Sequence, residues 1–232
     1  MALTGRTRLK ILWRASFLQS AWNFKGMQNI GFSFMLMPGL SELKNAPERL
    51  QDYGRFFNTQ PYMAPTIAGV DLNLEANGQA ELADKLQRSL ASSLAAIGDT
   101  LFWGTLKPLM GIIAVLSALL GSFWGIGLSL AAFNLIRGGV MSWGFEQGLR
   151  FGPQGALKVG SCLSVNRTGF LSYLISLLAG LSLMLTLPNN NLDASLMLVI
   201  FLASLVTVRL KISIFKVFYG VLALILLWTM LI

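Results

Sequence analysis

The sequence predicts an all-α membrane protein, with amphipathic, interfacial helices in the N-terminal half and a re-entrant hairpin with transmembrane helices in the C-terminal half. Three observations lead there. Of 232 residues 54% are apolar and only 12% charged, about half the charged share of a soluble domain, and so short a chain cannot hide that much apolar surface in one core. Long uncharged runs are confined to the second half, as expected of hydrocarbon-embedded segments. Eleven of the eighteen Lys and Arg fall within residues 1–107, and the formal charge of +8 suits an anionic membrane face. The chain therefore divides into residues 1–107, an amphipathic, motif-bearing cytoplasmic or interfacial half, and residues 108–232, a membrane-embedded half with about three spans plus the hairpin.

At the start, Leu9, Leu12, Trp13, Ser16 and Phe17 share one side of a 3.6-residue period, with Arg6, Lys10 and Arg14 toward the other. That pattern suits a helix resting on cytoplasmic headgroups or one packed on the rest of the protein. Lys10 and Arg14 interrupt the apolar positions, so this is not a cleaved signal peptide. Asn58 to Tyr62 and Ala64-Pro65 read as turn or extended chain, because each proline biases its predecessor away from helical backbone. Leu82, Leu86, Leu90 and Leu94 recur every fourth residue, and Glu81–Lys85 and Asp84–Arg88 are opposite charges at i,i+4, which predicts an amphipathic helix.

Between Lys107 and Arg137 lie 29 uncharged residues, about 43 Å of helix against about 30 Å of hydrocarbon. Gly111, Gly121, Gly125 and Gly127 offer break points, and a break at Gly121-Ser122 would split the run into the two short halves of a re-entrant hairpin. Further uncharged stretches cover Thr168–Leu192, Ala194–Val208 and Val217 to Ile232, with the last span expected to start near Ile212. Arg137, Arg150, Lys158 and Arg167 place the connector after the hairpin in the cytoplasm, Asn189 to Asn191 and Asp193 outside, and Arg209 and Lys211 inside. The N-terminus is then cytoplasmic and the C-terminus outside.

There is no histidine, so no imidazole can act as general base, metal ligand or phosphate carrier, and one cysteine excludes a disulfide framework and a thiolate zinc cluster. Paired carboxylates, metal-ligand spacing, a nucleophile beside a base and a phosphate-cradling glycine loop are all missing from the sequence. The expectation is a non-enzyme with no cofactor, no metal and no nucleic-acid partner.

Four stretches carry more than composition: Trp22-Asn-Phe-Lys-Gly-Met-Gln-Asn-Ile-Gly31, Phe56-Phe-Asn-Thr-Gln-Pro-Tyr62, Ile97-Gly-Asp-Thr-Leu-Phe-Trp-Gly-Thr-Leu-Lys-Pro108, and Phe133-Asn134 followed by Trp143-Gly144 and Gly148. Together they resemble the IID membrane component of the mannose/fructose/sorbose family of the bacterial phosphoenolpyruvate-dependent sugar phosphotransferase system (PTS). The likeness extends from about Ser16 to Gly152 and more loosely to the C-terminus. A shorter connection, Leu187 to Asp193, stands where the family has a longer soluble stretch. The resemblance implies an inner-membrane permease subunit that carries no phosphate itself. It would pair with a IIC subunit in a hetero- or homo-oligomeric complex to form the sugar path, while a transient partner, IIB, phosphorylates the sugar. It also implies an elevator-like motion of a substrate-carrying part against a scaffold. The alternative is a sugar-inactive or regulatory scaffold of a related complex.

A sugar site needs amides and a carboxylate for hydroxyls, and aromatic faces for the C–H side of the ring. Asn58, Thr59 and Gln60 are the candidate pathway amides and hydroxyl, Asp99 the carboxylate and Trp103 the aromatic. Trp22, Asn23, Gln28 and Asn29 form a second candidate cluster, for sugar or partner contact. Asp99 has a rival reading as the N-cap of a helix starting at Thr100, the tryptophans as an interfacial belt, and the amides of the second cluster as interhelical glue.

Overall fold

The computed structural model describes residues 3–43, 46–164 and 170–186, and these are helical or looped, without named strands. The expected spans across Ala194–Val208 and from Ile212 onward, and the loop at Asn189 to Asp193, lie outside the described residues. The helices are α1 (Gly5–Ala15), α2 (Asn29–Leu40), α3 (Ala46–Asp52), α4 (Ala64–Ala76), α5 (Ala80–Gly98), α6 (Lys107–Leu119), α7 (Trp124–Leu163) and α8 (Phe170–Thr186), with a π-helical segment, Asp99–Leu106, joining α5 to α6. The chain divides into two compact units, Met1–Ser182 and Leu183–Ile232, and helices α1 to α7 all lie in the first.

Helix α4 is the centre. Every residue from Ala64 to Leu72 is buried, so the helix shows no one-sided apolar stripe, as a helix surrounded by protein should not. Pro65 sits in its first turn, where the missing N–H is one of the unpaired donors anyway. The loop expected at Ala64-Pro65 is therefore a helix start. Helix α4 meets α7 backbone to backbone: a Cβ on Gly69 would collide with the Phe145 carbonyl, one on Gly148 with the Thr66 carbonyl, and one on Gly144 with the Thr66 hydroxyl. The small-residue series Gly144, Gly148 and Gly152 thus acts as a groove for a neighbouring helix.

At Pro38 and Pro153, both inside helices, the freed carbonyl finds a side-chain donor. Pro153 in α7 removes the N–H that would bond to Leu149, and Asn73 Nδ2 of α4 donates to that carbonyl at 2.8 Å. The kink is taken up by Gly152, whose φ of 57° is left-handed. Pro38 in α2 likewise frees the Phe34 carbonyl, which accepts from Arg14 Nη1 of α1 at 2.9 Å. Helix α1 is tied to α7 as well, through Arg8 on both carboxylate oxygens of Glu146 at 2.9 and 3.1 Å.

The face that α1 buries is Thr7, Ile11 and Ala15, continued by Leu18. Leu9, Trp13 and Phe17 instead point outward, with the two rings 5.4 Å apart. The expected apolar side is thus a second, uncovered stripe rather than the packing face.

The compositional boundary at residue 107 lies inside one continuous helix, Ala80–Leu119. That helix and Trp124–Leu163 each span 40 residues, the second broken by the kink at Gly152, and are the two described helices long and apolar enough to cross a membrane. They form a hairpin whose turn falls at Gly121-Ser122, with Gly121 at φ 71°. Near the turn the arms approach at Ser117 and Gly125, where no Cβ would fit.

Candidate functional site

The Trp22–Gly31 and Phe56–Tyr62 motifs fold as two loops laid side by side. Asn23 and Met27 exchange backbone hydrogen bonds across a tight turn, and Gln28 N–H donates to the Phe57 carbonyl at 2.9 Å. Met27 is held at φ 56°, a conformation non-glycine residues seldom adopt. The buried Gln28 side chain bonds the Thr59 backbone twice, Nε2 to its carbonyl at 2.9 Å and Oε1 from its N–H at 3.0 Å. The Thr59 hydroxyl donates to the Ala91 carbonyl of α5 at 2.9 Å. Asn23 Oδ1 accepts from Gly26 N–H, Asn23 Nδ2 donates to Asn29 Oδ1, and Asn29 Nδ2 donates to the Gly54 carbonyl. The amides of the second cluster are occupied in bracing these loops. Trp22 is half-exposed against Phe24, with ring centroids 4.8 Å apart.

What the brace presents is Gln60 and Tyr62. Gln60 is 1% exposed; its Oε1 accepts from Tyr62 N–H at 2.7 Å, and its Nε2 has no partner. Its side chain lies on Gly98, where a Cβ would stand 2.8 Å from Gln60 Cβ and 2.7 Å from Met63 Cγ. Gly98 is thus required for close approach, and the backbone runs helically through it. Asp99 has φ −63°, ψ −42° within that continuous helix. The N-cap reading of Asp99 does not hold, since no helix begins there and its carboxylate is exposed.

Asp99 opens the π-helical segment. The Lys107 N–H bonds the Phe102 carbonyl, five residues back, and the Thr105 hydroxyl donates to the Thr100 carbonyl at 2.8 Å. A widened turn just before Pro108 relieves the clash its ring would make with the carbonyl four residues earlier, and π-helical turns concentrate at functional sites. The segment turns Phe102 inward and leaves Trp103 at the surface, 38% exposed. Tyr62 stacks edge-on to Phe102 at 4.8 Å and lies 5.7 Å from Trp103 and 6.2 Å from Phe133 of α7. Arg137 sits over the Tyr62 ring at 5.4 Å with its Nε buried and unpartnered, and Lys107 over Trp103 at 4.7 Å. Among the described residues neither cation forms an ion pair.

The structure brings Gln60 and Trp103 together through Tyr62, with Asp99 one residue past Gly98. It does not bring Asn58 with them. Asn58 is exposed and lines a separate cleft of about 330 Å³ with Phe56 and the α5 residues Gln87, Arg88 and Ser92. Thr59 lies between the two places as a brace. Sequence reasoning does not single out Tyr62, Phe102, Phe133 or Arg137 as site residues, although the first three lie in the four motifs.

A charged knot holds the cleft from behind. Arg49 of α3 binds Asp52 at 2.6 Å, Glu75 of α4 at 2.6 Å and Asp84 of α5 at 2.8 Å, and the Tyr53 hydroxyl donates to Glu75 at 2.8 Å. Burial and the neighbouring carboxylates of Asp71 and Glu75 push the Tyr53 hydroxyl far above its ordinary range. Asp71 of α4 is fully buried. Burial, with the charges of Glu75 and Asp84, raises its pKa well above the usual carboxylate value, only partly offset by a 3.3 Å bond from Gln87. Because Asp84 is taken by Arg49, the expected Asp84–Arg88 pair is not formed, whereas Glu81–Lys85 is, at 2.7 Å.

The described residues thus form a helical protein with two helices long and apolar enough to cross a membrane. The chain belongs to the PTS system mannose/fructose/sorbose family IID components, whose family model matches residues 2–231. It is 37% identical over 150 residues to the mannose-specific EIID component of Escherichia coli K12, covering 60% of this chain and 53% of that protein. It is 28% identical over 156 residues to the fructose permease IID component of Bacillus subtilis, covering 63% and 57%. The chain thus spans about half the length of the curated relatives it matches. Among solved structures it is similar to a chain described as a membrane protein, at TM-score 0.66 and 25% identity, covering 96% of this chain and 95% of that one. It also shares its fold with a chain of the cryo-EM complex of the mannose transporter ManYZ with microcin E492, at TM-score 0.59 and 23% identity, covering 96% and 94%.

Proposed function

We propose that this chain is a non-catalytic permease subunit of a mannose-family PTS, forming with a IIC subunit the path that delivers sugar for phosphorylation by IIB. The observation that carries the reading is the cluster of Gln60, Tyr62 and Trp103 beside Asp99, built on a π-helical turn within a helix long enough to cross a bilayer. Trp103 and Tyr62 offer flat faces to the C–H side of a sugar ring. Asp99 accepts from hydroxyls, and the unmatched donors Gln60 Nε2 and Arg137 Nε supply hydrogen bonds to ring oxygens.

In this reading the braced loops carry the site as a rigid piece, and the hairpin around Gly121 is embedded in the bacterial inner membrane as a re-entrant element. The N-terminus is cytoplasmic and the C-terminus outside. The exposed apolar residues Phe123, Trp124, Leu128 and Leu135 face lipid or the IIC subunit. The phosphoryl group passes from IIB to a sugar hydroxyl, and no residue of this chain carries it.

The test is sugar-dependent phosphoryl transfer from phosphorylated IIB in membrane vesicles bearing IIC with or without this chain. Transfer is expected only when both membrane subunits are present. Equal transfer by IIC alone would reduce this chain to a scaffold.

A further inference from the structure

We propose that the cleft between the Phe56–Asn58 loop and α5 is a second ligand site, for a phosphorylated sugar. The identity of that ligand rests on the permease reading, in which sugar leaves the path phosphorylated. Its volume of about 330 Å³ lies at the lower end of the range that holds small ligands, about 300–1,000 Å³.

The lining matches both halves of such a ligand. Phe56 is 54% exposed and offers a ring face, while the Asn58 amide and Ser92 hydroxyl, both at the surface, offer partners for hydroxyls. Gln87 is fixed at the back of the cleft by its bond to the buried Asp71. Arg88 supplies the charge. The three acids of the adjoining recess are all in ion pairs: Glu81 binds Lys85, Asp84 and Asp52 share Arg49, and Asp52 also binds Arg55. Among the described residues Arg88 has no ion partner, and a free guanidinium is the side chain best matched to phosphate, by two parallel hydrogen bonds.

The cleft is separate from the Gln60 cluster yet aligned with it. The Thr59 hydroxyl, bonded to the Ala91 carbonyl, pins the loop to α5 between Asn58 and Gln60. Along α5 and into the π-helical segment, Arg88, Ser92, Ala95 and Asp99 fall at i, i+4, i+7 and i+11, on one helix face. A ligand leaving Asp99 along that face, over the small residues Ala95 and Ser92, arrives at Arg88. The site thus retains the product after the phosphoryl group is added.

The experiment is calorimetric titration of the detergent-purified full chain with a panel of hexose phosphates (mannose 6-phosphate, fructose 1-phosphate and sorbose 1-phosphate), with the parent sugars and inorganic phosphate as comparators. At least one hexose phosphate is expected to bind tenfold or more tightly than its parent sugar and than inorganic phosphate. Arg88→Gln is expected to weaken that binding at least tenfold, with partial recovery in Arg88→Lys and an unchanged melting temperature, since Arg88 is exposed and unpaired. Failure of the whole panel to bind, inorganic phosphate matching the sugar phosphate, or an Arg88→Gln affinity within twofold of the parent chain would each overturn the proposal. Vesicle transfer measured on the same preparation separates the two readings: transfer without hexose phosphate binding removes the cleft alone, and binding without transfer removes the permease reading.

Discussion

Glycine behaves in opposite ways in two regions of this molecule. Where α4 crosses α7, Gly69, Gly144 and Gly148 stand where any Cβ would enter the neighbouring helix. Along the hairpin, Gly111, Gly127, Gly138 and Gly139 have nothing within 4 Å, and large apolar side chains such as Trp124 (83% exposed) and Leu135 (76%) face outward. The first region completes its packing within the chain. The second touches the rest of the chain at points such as Gly125 against Ser117 and Phe133 against Tyr62, but leaves its large apolar side chains uncovered. Contacts within the chain therefore explain the stability of the first region and leave the second to its surroundings.

The largest expected effect breaks the first region. Gly148→Leu should prevent folding, and Gly148→Ala should cost about 3 kcal/mol or more, because the obstacle is the Thr66 backbone carbonyl and cannot rotate away. Gly138→Ala, by contrast, should gain up to about 1 kcal/mol of helix propensity. Thermal melting followed by circular dichroism in detergent compares the two, and equal losses would erase the distinction. Next, Asn73→Ala leaves the buried Leu149 carbonyl unpaired at the Pro153 kink and should cost about 1–3 kcal/mol. Restoring the lost N–H with Pro153→Ala in the same chain should recover part of it, which a double-mutant cycle measures.

A third prediction concerns pH. The pKa of Asp71 is raised in the folded chain, so the folded state binds its proton more tightly than the unfolded state does. The stability it contributes is present below the unfolded carboxylate range and is lost as pH rises toward the folded value. Asp71→Asn should therefore raise the melting temperature more at pH 8 than at pH 4, and an equal shift at both would assign the change to packing. The smallest effect is expected at Arg14→Ala, whose bond to the Phe34 carbonyl lies at the surface; about 1 kcal/mol or less is expected there.

The hairpin turn at Gly121-Ser122 and the helix through Leu82 to Leu94 are legible in the sequence, because an overlong uncharged run with a glycine break and a fourfold leucine repeat are local signals. Helix α4 is not. It is buried on all sides, so its apolar residues follow no period, and Pro65 marks a helix start as readily as a loop. The bracing by Gln28 joins residues 31 positions apart, and Asp84 prefers Arg49, 35 positions away, over its helical neighbour Arg88. Such choices are made by tertiary geometry. Gly98-Asp99 resembles a helix start because glycine before aspartate is ordinary capping chemistry, yet Gly98 is there to admit Gln60 and Met63. The π-helical widening leaves its trace only in Pro108.

The proposed function rests on the polar-aromatic cluster of the π-helical turn handling sugar, and Asp99 is where that is best tested. Its carboxylate is exposed and makes no intrachain hydrogen bond among the described residues, so Asp99→Asn should leave the melting temperature unchanged. Sugar-dependent phosphoryl transfer in vesicles bearing IIC and supplied with phosphorylated IIB should fall at least tenfold in Asp99→Asn. Transfer equal to that of the parent chain would contradict a role for the cluster in sugar handling.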